Sequence, residues 1–122
     1  MHQYILLVEQ DAEQRETTAD YLTGMLPSVV VTSTSSSAEA LQRVRTARFE
    51  LLITAQVLQP FSGVELIRRI RALGLTVPIV MYTSDDTIEA EALAAGASRF
   101  LAKGSYAHLL RVVNAVQLTR SA

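Results

Sequence analysis

Five short apolar runs, Tyr4 to Val8, Val29 to Thr32, Leu51 to Thr54, Pro78 to Tyr82 and Arg99 to Leu101, recur along the chain, each followed by a helical pattern. That alternation leaves few folds open. Strands separated by helices of this length pair in parallel through right-handed crossovers, which cover the sheet with helices on both faces. Thr18, Leu22, Met25 and Leu26 share one helical face, as do Leu41, Val44 and Ala47, then Leu66, Ile67 and Ile70, and finally Leu109, Leu110, Val113 and Val116. Those stripes are the surfaces expected to bury against the sheet. Ser36-x-x-Glu39 and Ser62-x-x-Glu65 have capping-box spacing, Gly74 and Gly96 fall where helices should stop, and Ser105 can cap the last helix. Ser33 to Ser37 reads as a polar loop, and no linker, repeat or low-complexity segment interrupts the pattern. A single α/β domain over 1–122 is expected.

With 49% hydrophobic and 19% charged residues among 122, the chain can bury one core. A formal net charge of -1 gives no electrostatic footprint for nucleic acid or for an anionic membrane surface. No apolar stretch nears the roughly 20 residues of a membrane span, and Met1-His2-Gln3 lacks the basic start of a signal peptide. A cytoplasmic location is expected. The absence of cysteine excludes disulfides, thiol chemistry and Cys-based metal sites, and His2 and His108 lie too far apart in sequence to suggest a histidine cluster.

Five strands in such a sheet commonly take the order 2-1-3-4-5, and the crevice then opens between strands 1 and 3 at their carboxyl ends. Glu9, Gln10, Asp11 and Ala55 should face one another there. The residues around this point resemble the receiver domain of two-component signalling, and the resemblance covers essentially the whole chain. It rests on Ile5-Leu6-Leu7-Val8-Glu9-Gln10-Asp11 with Arg15, on Phe49 to Gly63, on Pro78-Ile79-Val80-Met81-Tyr82-Thr83-Ser84, and on Gly96-Ala97-Ser98-Arg99-Phe100-Leu101-Ala102-Lys103. The resemblance implies a flavodoxin-like (βα)5 doubly wound parallel sheet. In that family an acidic pair ends the first strand, an aspartate the third, a Thr or Ser the fourth and a lysine the fifth. The strand-end aspartates hold Mg²⁺, and the one on the third strand takes a phosphoryl group from a histidine kinase. By the same resemblance Thr83 matches the hydroxyl that follows the phosphate, Lys103 the cation that pairs with it, and Phe100 the aromatic that rotates inward on activation.

The departures matter more than the matches. Glu9 is ordinary at the first acidic position, but the metal-binding position holds Gln10 and the acceptor position holds Ala55, whose methyl group cannot take a phosphoryl group. Pro60 comes one residue later than the family's proline, so counting back from it puts Gln56 at the acceptor position, whereas counting from Phe49 and from Gly63 selects Ala55. Gly104 stands where the family has a proline, and its lack of a side chain frees that loop for other conformations. Gln10, Gln59 and Gly104 together speak for natural divergence, since one laboratory substitution would explain Ala55 alone. Mg²⁺ demands near-octahedral oxygen geometry and one or two carboxylates. Glu9 and Asp11 are weak candidates for that duty, so no cofactor is expected and Mg²⁺ binding should be weak or absent. Lys103 is then expected to pair with Glu9 or Asp11 in a structural role.

The expected function is a pseudo-receiver of phosphorelay signalling, with no catalytic residue, that works through protein contact independently of phosphorylation. A histidine kinase, an output domain or a second copy would dock on the face of the fourth helix, fifth strand and fifth helix. Tyr82, Phe100 and Tyr106 either form an aromatic partner surface there or pack the edge of the sheet. Arg43, Arg45 and Arg48 on the second helix and Arg68, Arg69 and Arg71 on the third read as solvated faces in preference to an acidic-partner site. Asp85 and Asp86 suit the start of the fourth helix better than a metal. One alternative is a small-ligand or enzymatic domain on the same layout, although the acids of Glu9-Gln10-Asp11-Ala12-Glu13 repel phosphate and no Asp-x-His-x-x-Gly loop occurs. Another is residual phosphorylation on Glu9, Asp11 or Ser84. The last helical pattern stops near Thr119, and no output domain is expected within the chain.

Overall fold

The computed structural model describes residues 2–121, with side-chain surroundings for residues 2–116. Its elements are β1 (Gln3–Val8), α1 (Ala12–Met25), β2 (Val29–Thr34), α2 (Ser37–Thr46), β3 (Leu51–Thr54), α3 (Gly63–Ala72), β4 (Ile79–Thr83), a 3₁₀ turn (Asp86–Ile88), α4 (Glu89–Ala95), β5 (Arg99–Ala102) and α5 (Tyr106–Ser121). All neighbouring strands pair in parallel, in the order β2-β1-β3-β4-β5. The α/β sheet expected from the alternation is the sheet observed. Met1 lies outside the described residues, so the reading of the chain's start is not addressed by the fold. Among the described residues, no helix is long and apolar enough to cross a membrane.

The register decides which helices cover which face. Leu6 is level with Leu52, and Leu52 with Ile79, so these residues point to one side while Ile5, Leu51 and Val80 point to the other. One side packs Leu6, Val8, Leu52, Ile79 and Met81 against Ala40 and Val44 of α2, Leu66, Ile67 and Ile70 of α3, and Ala92 of α4. The opposite side packs Ile5, Leu7, Leu51, Ile53, Val80 and Tyr82 against Leu22 of α1 and Leu109, Val113 and Val116 of α5. Strands buried on both faces must be apolar without alternation, which is how β1, β3 and β4 read.

Several expectations need correction at this level. Met25 is 52% exposed at the end of α1, where the helix has already passed the sheet. Ala47 is exposed as the C-cap of α2, while Ser37 and Ala40 are the fully buried residues of that helix. Arg48 lies beyond the end of α2 and is not on that helix. β2 extends through Thr34, so the polar loop shrinks to Ser35 and Ser36. Asp85 caps the 3₁₀ turn that precedes α4, accepting from the Thr87 amide at 3.0 Å, rather than α4 itself. Arg71 is not a solvated surface residue. Its Nε donates to the Gly96 carbonyl and its guanidinium to the Leu75 carbonyl, each at 3.0 Å, and burial pushes its pKa down.

The two expected capping boxes are each half formed. Ser36 Oγ accepts from the Glu39 amide and Ser62 Oγ from the Glu65 amide, both at 3.2 Å. The glutamates then turn away from the cap, Glu39 to Arg43 at 3.1 Å and Glu65 to Arg69 at 3.0 Å. Gly74 follows the α3 C-cap at φ +80° and Gly96 caps α4 at φ +120°, a region that side chains strain to enter. Ser105 caps α5 through the His108 amide at 3.1 Å.

Candidate functional site

The carboxyl ends of β1, β3, β4 and β5 converge on a cleft of about 530 Å³ lined by Glu9, Gln10, Asp11, Ala55, Thr83 and Lys103, together with Ala12, Gln14, Val57 and Ser84. Backbone bonds extend the ladders to its rim, since the Ala55 amide donates to the Val8 carbonyl at 2.9 Å and the Lys103 amide to the Thr83 carbonyl at 2.8 Å. The crevice therefore forms where strand order reverses, as topology requires.

At its floor stands Ala55, 6% exposed and packed into the core on the α2–α3–α4 side. Gly63 lies immediately behind it. A Cβ on Gly63 would collide with the Ala55 carbonyl oxygen and stand 3.0 Å from Met81 Cε, so only glycine lets α3 start so close to the end of β3. Gln56 is turned elsewhere: its Oε1 accepts from the Val64 amide at 2.9 Å, and its carbonyl accepts from the Gly63 amide at 2.9 Å. Of the two register readings, the structure puts Ala55 in the cleft.

The charged residues of the cleft are committed to one another or to the backbone. Lys103 Nζ reaches Glu9 Oε1 at 2.6 Å and Gln14 Oε1 at 2.6 Å. The Glu9 side chain is only 10% exposed and that of Lys103 21%. A carboxylate so enclosed is costly unless a cation and hydrogen bonds accompany it. Glu9 Oε2 also accepts from the Asp11 amide at 3.1 Å. Asp11 Oδ1 accepts from the Gln14 amide at 2.8 Å and serves as the N-cap of α1. Arg15 donates to the Glu9 carbonyl at 2.9 Å and the Gln10 carbonyl at 3.3 Å, fixing the loop from outside the lining. Thr83 Oγ1 accepts from the Asp85 amide at 3.2 Å. Gln10 is exposed.

Sequence reasoning identified every charged member of this cluster but missed Gln14. Asp11-x-x-Gln14 has the same spacing as the Ser36 and Ser62 caps, which signals a helix start and not a bond to Lys103. The three aromatics, read either as one partner surface or as packing of the sheet edge, are divided between the two faces. Met81 is level with Phe100 and Tyr82 with Leu101, so alternation sends Phe100 toward the α2–α3–α4 core and Tyr82 toward the α1–α5 core. Tyr106 joins Tyr82's side, stacked on Tyr21 at 5.0 Å between centroids and bonded through its hydroxyl to Thr18 Oγ1 at 3.1 Å. Tyr82 is 6% exposed and lies with its ring 5.8 Å from Lys103 Nζ. Beside the cleft, the Gln59–Pro60 bond is cis, and Gly104 takes φ +149° directly after Lys103.

Chemically the arrangement is an ion pair and two caps around a methyl group. Among the described residues, no three His, Cys, Asp or Glu side chains converge as a metal-binding group. The residues present do not fit Mg²⁺ well: Ala55 offers no side-chain oxygen, one Glu9 oxygen is held by Lys103, and one Asp11 oxygen is held by the cap of α1.

Fold and cleft together define a flavodoxin-like (βα)5 domain with a strand-end site. Residues 5–114 match the family model of the response regulator receiver domain, and the chain belongs to that family, the receiver of two-component signalling. Its members are in general signalling modules that contact kinases and output domains and are not enzymes. Comparison with curated proteins finds no match. Among solved structures, a Francisella response regulator receiver domain is 18% identical with a TM-score of 0.90, over 99% of this chain and 100% of that one. A two-component response regulator from Clostridium difficile is 21% identical, with a TM-score of 0.89 over 99% and 100% of the two chains. The receiver domain of a sensor histidine kinase from Pseudomonas aeruginosa is 25% identical, with a TM-score of 0.86 over 96% and 98%, and carries a magnesium ion in its active-site cleft.

Proposed function

We propose that this receiver domain works without aspartyl phosphate, as a cytoplasmic protein-contact module of two-component signalling. The observation that carries the reading is the methyl of Ala55 on the cleft floor, with Lys103 drawn away from a phosphate role onto Glu9 and Gln14. A conventional receiver biases two conformations with a covalent phosphate bound through a metal. Where neither can form, only a partner with different affinities for the two conformations can shift the balance.

Mg²⁺ binds weakly or not at all in this reading, because Gln10 and Ala55 stand where the family's resemblance places metal ligands. Thr83 and Lys103 are retained for structure: one accepts from the Asp85 amide and the other neutralises an enclosed carboxylate. The contact face is assigned to α4, β5 and α5, where a kinase, an output domain or a second copy would dock. Phe100 and Tyr106 are half-buried there and Leu93 is 44% exposed, whereas Tyr82 lies too deep to touch a partner. Residual phosphorylation on Glu9 or Asp11 is disfavoured, since both carboxylates are engaged.

The test is a set of ¹⁵N amide spectra recorded with Mg²⁺ and then with a small phosphodonor, followed by intact mass. The expected result is unchanged positions for Thr83 and Lys103 and no added phosphoryl mass. Shifts at both residues with the added mass would overturn the proposal and reveal another acceptor.

A further inference from the structure

A second concavity lies at the opposite end of the sheet, where the turns entering β3 and β4 meet. It holds about 410 Å³ and is lined by Val44, Phe49, Leu75 and Val77 as an apolar floor, with Arg45 and Arg48 on its rim. That volume is within the range of ligand-binding clefts. Both walls are fixed by hydrogen bonds: the Ala47 amide donates to the Arg43 carbonyl at 2.9 Å, and the Arg71 guanidinium donates to the Leu75 carbonyl at 3.0 Å.

Its charge is one-sided in a chain whose formal net charge is -1. No acid lines it. The Arg45 side chain is exposed and makes no ion pair or hydrogen bond among the described residues. Arg48, with 79% of its side chain exposed, meets only Glu50, at 3.9 Å. That glutamate already accepts from the Tyr4 amide at 2.6 Å. The C-terminal dipole of α2 accounts for Arg43 and Arg45 in its last turn, but Arg48 lies past the end of the helix. Two exposed guanidinium groups flanking an apolar floor, Arg45 with no acid beside it among the described residues and Arg48 with one loose pair, suit a ligand with carboxylates on either side of an apolar side chain.

We propose that this groove docks an acidic peptide segment of a partner protein, with one aromatic or aliphatic side chain over Phe49 and Val77 and carboxylates at Arg45 and Arg48. The site is separate from the strand-end cleft and does not depend on whether that cleft can be phosphorylated. A partner held here leaves the α4–β5–α5 face free.

The test uses a capped, fluorescein-labelled peptide Asp-Glu-Phe-Asp-Glu, with binding followed by anisotropy and by ¹⁵N amide shifts. Saturable binding is expected, with shifts at Thr46, Phe49, Thr76 and Val77 and none at Thr83. Affinity should fall roughly tenfold or more in an R45E/R48E variant and in moderately raised salt. R45Q/R48Q, which leaves the helix and core untouched, should fall in the same direction by less. The same peptide with Ala in place of Phe should bind roughly tenfold more weakly, because the apolar floor is left uncovered. Equal affinity for the charge-reversed variant, shifts elsewhere on the domain, or equal binding of the Ala peptide would each overturn the proposal. Binding of phenylacetate but not of the peptide would also overturn it, by making the occupant a small aromatic acid.

Discussion

At the scale of single residues, the cleft floor depends on one close backbone approach. Gly63 starts α3 against the carbonyl of Ala55, and an added methyl meets backbone there rather than a flexible side chain that could move aside. Gly63→Ala should therefore destabilise the domain by about 1–3 kcal/mol, the usual cost of overpacking, read as a lower urea midpoint at unchanged slope. Ala55 poses the complementary question. Ala55→Asp restores a carboxylate, but Gln10 remains and Lys103 stays bound to Glu9 and Gln14, so a phosphodonor should add little mass to the single variant. Adding Gln10→Asp should raise the yield by on the order of tenfold, the scale on which one partner alters a metal site. Equal phosphorylation of the single and double variants in intact-mass spectra would contradict this. These residues were legible from sequence because their spacing is rigid: Gly63 follows Ala55 by a fixed count, and strand ends fall level in a parallel sheet. Gln14 was not, because a residue in the first turn of a helix is normally assigned to capping, and only the fold brings it to Lys103.

At the scale of elements, one device recurs where strands give way to helices or turns. Glu9 accepts from the Asp11 amide, Thr34 Oγ1 from the Ser36 amide at 3.2 Å, and Thr83 Oγ1 from the Asp85 amide. In each case a strand-end side chain bonds the amide two residues on, and that residue's own side chain then caps the next helix or turn. This is why the Ser36 capping box is incomplete: the Ser36 amide is already bonded to Thr34 Oγ1, so Glu39 is left to pair with Arg43. Sequence spacing shows who can cap and cannot show who arrives first. Helix packing adds a second device. Arg71 ties the end of α3 to the end of α4 through the Gly96 carbonyl, and Arg68 meets Glu91 at 3.5 Å across the same pair of helices. The ion pair is exposed and contributes little, whereas the half-buried Arg71 bonds are charge-assisted. Arg71→Ala should cost about 1–2 kcal/mol and should speed hydrogen exchange in α4 more than in α1. Uniform acceleration across the domain would mean that Arg71 serves general packing and not the α3–α4 join.

At the scale of the molecule, the two faces of the sheet are unequally furnished. The α2–α3–α4 side is closed by aliphatic residues, those of α2 and α3 on stripes that periodicity revealed, whereas α1 buries only Thr18 and Leu22. Polar and aromatic links complete that second side: Tyr106 with Thr18 and Tyr21, Lys103 with Gln14, and Tyr82 beneath them. Such links were invisible to a search for apolar periodicity, which is why the sequence left Tyr82 open between a partner surface and sheet packing. The consequence is an alkaline weakness. Burial first, then the charges of Tyr106 and Glu9, raises the Tyr82 phenol above its ordinary value. A group whose pKa is higher folded than unfolded stabilises the fold below its unfolded value, near pH 10, and loses that contribution as pH rises through the folded value. The urea midpoint should therefore fall on the alkaline side, and one of the four tyrosines should titrate late in tyrosinate absorbance. Tyr82→Phe removes the late titration and flattens the alkaline fall, because the ring stays buried and nothing in it ionises. If the variant kept the full alkaline fall, the weakness would lie in other groups and the α1–α5 side would not be governed by this phenol.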